Sequence, residues 1–350
     1  EGSPVRFLGP GGSLTQALPD QALQGDELLE GYRFMVLTRL YDTKAVNLQR
    51  TGQLGTFPSS LGQEAATVGL ALPMRPEDVL CPSYREHGAY LRRGVTLTEM
   101  LLYWGGDERG SDFAGPRGDL PVAVPIATQA LHAAGVAAAF KLRDEPRVAV
   151  GVCGDGATSK GDFYEAINLA GVWKLPLVMV VINNQWAISV PRTAQTAAPT
   201  LAHKALAAGI PGEQVDGNDL IAVHHAMQSA LATARGGGGS TLLELITYRM
   251  GDHTTADDAR RYRPDAEVSA HWKEDPIARL RSHLTEQGLW DKAREEALLE
   301  ELNSRVEAAV EEYLATPQQP PTAMFDHLYA ELPPALQAQR DALAGEVPRG

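Results

Sequence analysis

Cysteine is scarce in this chain: Cys81 and Cys153 are the only two among 350 residues. Two thiols cannot build a disulfide framework, so both read as buried, reduced thiols of a cytoplasmic protein. Basic residues are also in deficit, with 31 Lys and Arg against 44 Asp and Glu and a net charge of −13. That balance argues against a nucleic-acid partner, because phosphate backbones are met by clustered cations. No apolar run approaches the ~20 residues that span a bilayer. The opening stretch EGSPVRFLGPGGSLTQALPD has no basic segment followed by an apolar one, so it does not read as a secretory signal. The expectation is an acidic cytoplasmic protein without membrane association. A hydrophobic content of 44% suits one large α/β domain with appendages, or two modest domains.

Two phosphate-binding signatures are missing as well. A dinucleotide fingerprint fails because Gly154 and Gly156 are followed by Ser159 where a third glycine should stand. No GxxxxGK[ST] occurs in the segment either. What stands there is GDGATSKGDFYEAINLAGVWKLPLVMVVINN, Gly154–Asn184. Its flanks, Arg147–Cys153 and Leu175–Ile182, are short apolar runs rich in β-branched residues, as in buried parallel strands. Between them Phe163, Ala166, Ile167 and Ala170 recur at helical spacing. One βαβ unit follows, with Asp155 and Asn184 at the carboxyl ends of two parallel strands, where open α/β sheets bind ligands. Asp155 would repel a bare phosphate. A carboxylate and an amide oxygen there make sense if a hard cation such as Mg²⁺ lies between them and phosphate oxygens. An Asp-Gly turn or an Asn pair alone is commonplace; the two together, in this strand context, point to a cation and diphosphate site.

GDG, twenty-six residues and NN match the motif for thiamine diphosphate and Mg²⁺. The longer run GDFYEAINLAGVWKLPLVMVVINNQWAISVP resembles the α subunit of the two-chain E1 component of 2-oxo acid dehydrogenase complexes. The resemblance extends from about Arg33 to near the C terminus. It implies the thiamin diphosphate-binding α/β fold, a parallel sheet flanked by helices, with a helical C-terminal appendage. Residues 1–25 then form an arm on the surface or on a neighbouring subunit, and residues 26–265 the cofactor-binding domain. Residues 266–350 form a helical region packed on the core or on a partner subunit.

The resemblance also implies a site. Tyr84 and Arg85, in YREHG, match a motif that contacts the cofactor diphosphate, and a guanidinium fork after a short strand suits that task. Main-chain groups at Val124 and Ile126 match contacts to the pyrimidine side. Asp155, Gly156, Ala157, Asn184 and Trp186 fall in the cofactor segment, with Asp155, Asn184 and the Trp186 carbonyl as metal ligands. His253, at the end of the strand STLLELITYRM, matches the family's H-[ST]-x-x-D pattern and is the candidate catalytic residue. Ile182 stands where branched-chain members often carry Arg. Charge compensation would then fall on Mg²⁺, Arg85 and His253.

Other segments are read more plainly. Ser59 or Ser60 is expected to cap an exposed helix start carrying Gln63 and Glu64. Ala123–Leu142 is expected to be a tightly packed helix, and Trp104–Pro121 a loop bordering the active-site channel. Gly236–Gly239 is expected to be a mobile run and Asp257–Arg261 a charged loop. Glu86, His87 and His132 receive no role. No motif supplies the glutamate that activates the cofactor. The resemblance assigns it to an E1 β subunit in an α2β2 heterotetramer, which passes the acyl group to a lipoyl-bearing E2 acyltransferase. Pyruvate is the expected 2-oxo acid; 3-methyl-2-oxobutanoate is the alternative. A non-catalytic scaffold of the same fold is a further reading, which the presence of Asp155, Asn184, Arg85 and His253 opposes.

Overall fold

Five parallel strands carry the architecture of the computed structural model, which describes residues 3–326 and 328–344. The first two and last six residues, at the ends of the expected arm and C-terminal region, lie outside the described residues. In chain order the helices and strands begin with α1 (Gly25–Arg50), α2 (Glu64–Ala71), β1 (Val79–Cys81), α3 (His87–Arg93) and α4 (Leu97–Trp104). There follow α5 (Thr128–Leu142), β2 (Ala149–Gly154), α6 (Gly161–Val172), β3 (Leu177–Asn183), β4 (Trp186–Ala187) and β5 (Val190–Pro191). Then come α7 (Arg192–Gln195), α8 (Lys204–Ala207), β6 (Gly212–Asp216), α9 (Leu220–Arg235) and β7 (Thr241–Ile246). The chain closes with α10 (Asp265–His271), α11 (Pro276–Glu286), α12 (Lys292–Ala315) and α13 (Pro334–Ala344).

The sheet runs β1-β2-β3-β7-β6, and β4 and β5 form a small antiparallel hairpin beside it. Every residue of β3 is buried, as a strand covered by helices on both faces requires. Registers align Gly154 with Ile182 and Asn183 with Ile246, so the segments after β2, β3 and β7 leave the sheet at one edge. The helix α6 buries Phe163, Ala166, Ile167 and Ala170, the stripe expected from its spacing. Small residues let α5 approach the sheet closely. A Cβ on Gly151 of β2 would lie 2.7 Å from the Cβ of Ala133, so only glycine fits there.

Two expectations are corrected, and a third segment lies off the cavity. The helix expected from Ala123 starts only at Thr128, because Ala127 caps it in the left-handed region (φ 69°). Val124 and Ile126 therefore lie on the preceding loop. The Gly236–Gly239 run is a fixed turn: Gly237 and Gly239 take positive φ, and Gly238 N donates to Thr233 O. The segment Trp104–Pro121 lines no part of the cavity described below; Arg109 donates to Pro317 O, and Gln319 to Asp107.

The arm and the helices α11 and α12 lie on the chain's own core. The arm adds a parallel bridge from Val5 to Val215 of the edge strand β6. Asp219, the N-cap of α9, takes the Phe7 and Leu8 amides on its second oxygen at 2.7 Å each. Leu280, Leu284, Leu298, Leu302 and Val306 of α11 and α12 join the same hydrophobic cluster as the sheet. Each such side chain contributes about 2 kcal/mol by leaving water. Among the described residues, no helix is long and apolar enough to cross a membrane.

Candidate functional site

A cavity of about 240 Å³ opens where the strands end. Tyr84, Arg85, Ile126, Asp155, Gly156, Ala157, Asn184, Trp186 and His253 line it together, drawn from five separate stretches of chain. Val124 does not line it and is half-exposed. Residues given no site role from the sequence also form its wall, among them Gln63, Ser83, Glu86, Gln129 and Ile188, beside Ile182. A larger cleft of about 650 Å³ lies across Trp186, between the arm, the ends of β6 and β7, and the segment Glu267–Arg279.

The cationic end is centred on Arg85, which is buried and has no carboxylate partner among the described residues. It donates to Ser59 O at 2.7 Å, to His253 O at 2.5 Å and to His253 Nδ1 at 2.9 Å. A guanidinium only donates, so Nδ1 must be the acceptor and the neutral ring carries its proton on Nε2. Burial, and then the charges of Arg85 and Arg249, push the His253 pKa down to about 4. His253 is thus a neutral hydrogen-bond donor near pH 7 rather than a cation.

At the opposite end Asp155 is buried, and burial raises its pKa against the pull of its hydrogen bonds and of Arg249. Its Oδ2 accepts from Gln195 Nε2 at 2.6 Å. The two asparagines divide their duties. Asn183 donates to the buried Glu244 at 2.7 Å and is structural, whereas Asn184 lines the cavity and its Oδ1 accepts from Trp186 N at 3.2 Å. The Trp186 carbonyl accepts from Arg249 Nη1 at 3.3 Å.

Arg249 went unnoticed in the sequence, although it follows β7 closely and precedes His253. It is buried, and it also donates to Ile188 O at 2.9 Å and Tyr262 Oη at 2.7 Å. The loop after His253 is tied to the core by hydrogen bonds, although Arg260 and Arg261 on it are exposed. His253 N donates to Asp257, Thr255 exchanges hydrogen bonds with Phe57, and Arg263 donates to the carbonyls of Arg249, Met250 and Gly251. The exposed capping box expected at Ser59–Glu64 is likewise corrected. Ser60, Gln63 and Glu64 are buried, and α2 has no side-chain cap. Asp42 takes the Ser59 hydroxyl and the Ser60 amide at 2.6 Å each, while Glu64 pairs with Arg39. These are long-range partners that a local capping pattern cannot reveal. Glu86, buried and bonded to Ser83, belongs to the cavity wall as well.

The donor set can be tested against a cation and a diphosphate. No group of three or more His, Cys, Asp or Glu is placed to hold a metal among the described residues. Asp155 and Asn184 would supply hard oxygen atoms but too few for a full shell, as suits Mg²⁺ shared with phosphate. Arg85 offers an unneutralised buried charge, and Gln63 Nε2 is buried without a partner. The residues fit an anion bridged through a cation.

The signature of the family described as dehydrogenase E1 component matches residues 32–322. The chain is 45% identical to 3-methyl-2-oxobutanoate dehydrogenase subunit alpha of Mycobacterium tuberculosis, covering 99% of this chain and 95% of that relative. The chain belongs to the dehydrogenase E1 component family, among its α subunits. It is also 39% identical to pyruvate dehydrogenase E1 component subunit alpha of Staphylococcus aureus, over 96% of this chain and 91% of the relative. The same holds at 39% for the Mycoplasma genitalium protein of that name, over 91% and 89%. Membership makes this E1 α chain part of an oxidoreductase and implies thiamine diphosphate, an E1 β partner and an E2 component.

Proposed function

We propose that the chain is the α half of a 2-oxo acid dehydrogenase E1 that decarboxylates pyruvate oxidatively and passes the acetyl group to the lipoyl group of E2. The observation that carries this reading is the convergence of Asp155, Asn184, Arg85 and His253 on one cavity at the strand ends. Asp155, Asn184 and the Trp186 carbonyl would hold Mg²⁺, and Tyr84, Arg85, Gly156, Ala157 and His253 would receive the diphosphate. Main-chain groups of Ile126, and of Val124 just outside the cavity wall, would meet the pyrimidine side. Thiamine diphosphate, when bound, supplies the electron sink for loss of CO₂. The chain's own part is to bind and orient. Arg85 would offer its charge and its remaining N–H donors to anionic oxygen, His253 Nε2–H would donate a hydrogen bond, and the buried Ile182 keeps water from the wall. Residues 26–265 form the cofactor-binding unit, residues 1–25 the arm and 266–350 the helical region on it, in a cytoplasmic α2β2 assembly.

The runs WGGDERGSDF and GDFYEAINLAGVWKLP, which resemble bacterial pyruvate dehydrogenase α chains, favour pyruvate. One observation favours 3-methyl-2-oxobutanoate: the 45% identity with a relative of that name. Each methylene placed in an apolar pocket is worth about 1–3 kcal/mol, so a true preference separates the acids by at least about tenfold in kcat/KM. The reconstituted α–β pair should prefer pyruvate, and a preference for the branched acid would reverse the assignment. The α chain purified alone should be inactive, because no glutamate here is read as activating the cofactor. Turnover by α alone would end that claim.

A further inference from the structure

The hairpin that follows Asn184 is held in a costly shape. Gln185 (φ 72°) and Ile188 (φ 55°) both take left-handed conformations without being glycine, and for β-branched Ile188 this is a pronounced outlier. Such strain persists only where surrounding contacts over-determine it. The contacts are visible. Arg249 grips the Trp186 and Ile188 carbonyls, Arg192 N donates to Gln185 O at 2.8 Å, and a Cβ on Gly156 would lie 2.7 Å from the Cβ of Ala187. The hairpin is therefore pressed flat against the turn that begins with Asp155.

The short helix α7 then returns a side chain to that turn. Gln195 Nε2 donates to Asp155 Oδ2 at 2.6 Å and to Val190 O at 3.2 Å. It is the only side-chain hydrogen bond to the Asp155 carboxylate among the described residues. The bond fixes one carboxylate oxygen and leaves Oδ1 for another partner. Gln195 Oε1 is buried with no hydrogen-bond partner, an arrangement that is costly unless something is later bound there.

We propose that Gln195 is a positioning residue for the cation site: it orients Asp155 so that Oδ1 is presented to the metal, and its own Oε1 accepts from a water of the metal's shell. Mg²⁺ dehydrates reluctantly and usually keeps several waters, so an acceptor beside its carboxylate ligand is chemically apt. Outer partners of this kind typically change metal affinity by about 10–100-fold when removed. The proposal rests on the reading of Asp155 as a cation ligand.

The test is titration of Mg²⁺ into the α–β complex with thiamine diphosphate present, followed by calorimetry, for wild type, Gln195→Met, Gln195→Ala and Asp155→Ala. Gln195→Met keeps the length of the side chain and removes the donor. It should weaken apparent Mg²⁺ affinity by about tenfold or more, leave the thermal midpoint of the metal-free complex unchanged, and recover activity when Mg²⁺ is raised in proportion. Recovery by metal separates positioning from a merely structural role. If Gln195→Ala fails to fold, Gln195→Met carries the test. Wild-type Mg²⁺ affinity in Gln195→Met, or an activity loss that saturating Mg²⁺ does not relieve, overturns the proposal. The underlying reading fails separately: it falls if Asp155→Ala retains metal-dependent cofactor binding.

Discussion

Asp155 and Asn184 stand at the ends of strands whose backbone is set by a continuous ladder from Ala149 to Asn183, whereas His253 stands on a loop set by arginine side chains. The two walls of one cavity are thus held by different means. The strand-end wall inherits its rigidity from a sheet buried on both faces, and its polar groups occupy the first positions beyond that sheet. Past Ile246 the loop wall keeps, among the described residues, only two backbone bonds to the neighbouring strand end, Thr247 N to Asn183 O at 2.9 Å and Arg249 N to Asn184 O at 3.1 Å. Arg249 and Arg263, both buried, instead donate to backbone carbonyls, while Tyr262 and Asp257 close the network. Guanidiniums bridging carbonyls can be lost without dismantling a sheet. The loop wall should therefore fail first, and alone.

Arg249→Met offers the largest expected break. It removes donors from Trp186 O, Ile188 O and Tyr262 Oη at once. A hydrogen bond from a charged donor contributes about 1.5–3 kcal/mol, so if the equivalent of one of the three is needed to hold the loop in its cofactor-binding shape, cofactor affinity should fall by about tenfold to a hundredfold. The sheet should survive. Limited trypsin digestion should cut faster at Arg260 and Arg261 by about tenfold or more while far-ultraviolet circular dichroism stays native. Equal loss of sheet and loop would erase the distinction between the walls.

How far the sequence carried the reading follows the same division. Asp155, Asn184 and the α6 stripe were legible because strand and helix periods place them relative to their near neighbours. Arg85 and His253 were legible through position after a strand together with motif resemblance. Gln195 and Arg249 were not, because each acts through a partner distant in sequence: Asp155 and Gln195 are 40 residues apart, and Arg249 and Trp186 are 63. Gln63 and Glu86 were not, because nothing in their local pattern shows that they face the cavity. The Ser59–Glu64 segment misled for the same reason. Its local pattern is that of a cap, but Asp42 of α1 and Arg39 satisfy its polar groups. The arm was ambiguous until Asp219 was seen to hold it to its own chain.

His253→Ala should have a middling effect, since the neutral ring contributes a hydrogen bond and no charge. Decarboxylation measured with an artificial electron acceptor should be largely spared. Acyl transfer to lipoyl domain, or retention of cofactor on dilution, should drop by about tenfold to a hundredfold, the lower range for a positioned proton donor. Wild-type behaviour in both assays would remove His253 from the chemistry. It would leave the loop wall a purely structural closure.

The smallest effect lies away from both walls. His224, buried on α9, has its pKa pushed down to about 4 by burial and then by His225. The unfolded chain therefore binds more protons than the folded one between about pH 4 and the ordinary histidine value of about 6.5, so this group's contribution to stability rises with pH across that window. It is fully present above pH 6.5 and is lost as pH falls toward 4. Asp42, raised to about 6 by burial, acts in the opposite sense, because its carboxylate costs stability as pH rises. The raw melting curve mixes these signs, and the informative quantity is the difference between His224→Leu and wild type. That difference should move in the variant's favour by about 1–2 °C in Tm between pH 7 and pH 5.5. Cofactor affinity should not change with it. A pH-dependent loss of cofactor in His224→Leu would mean that α9 communicates with the site, and that the walls are less independent than their construction suggests.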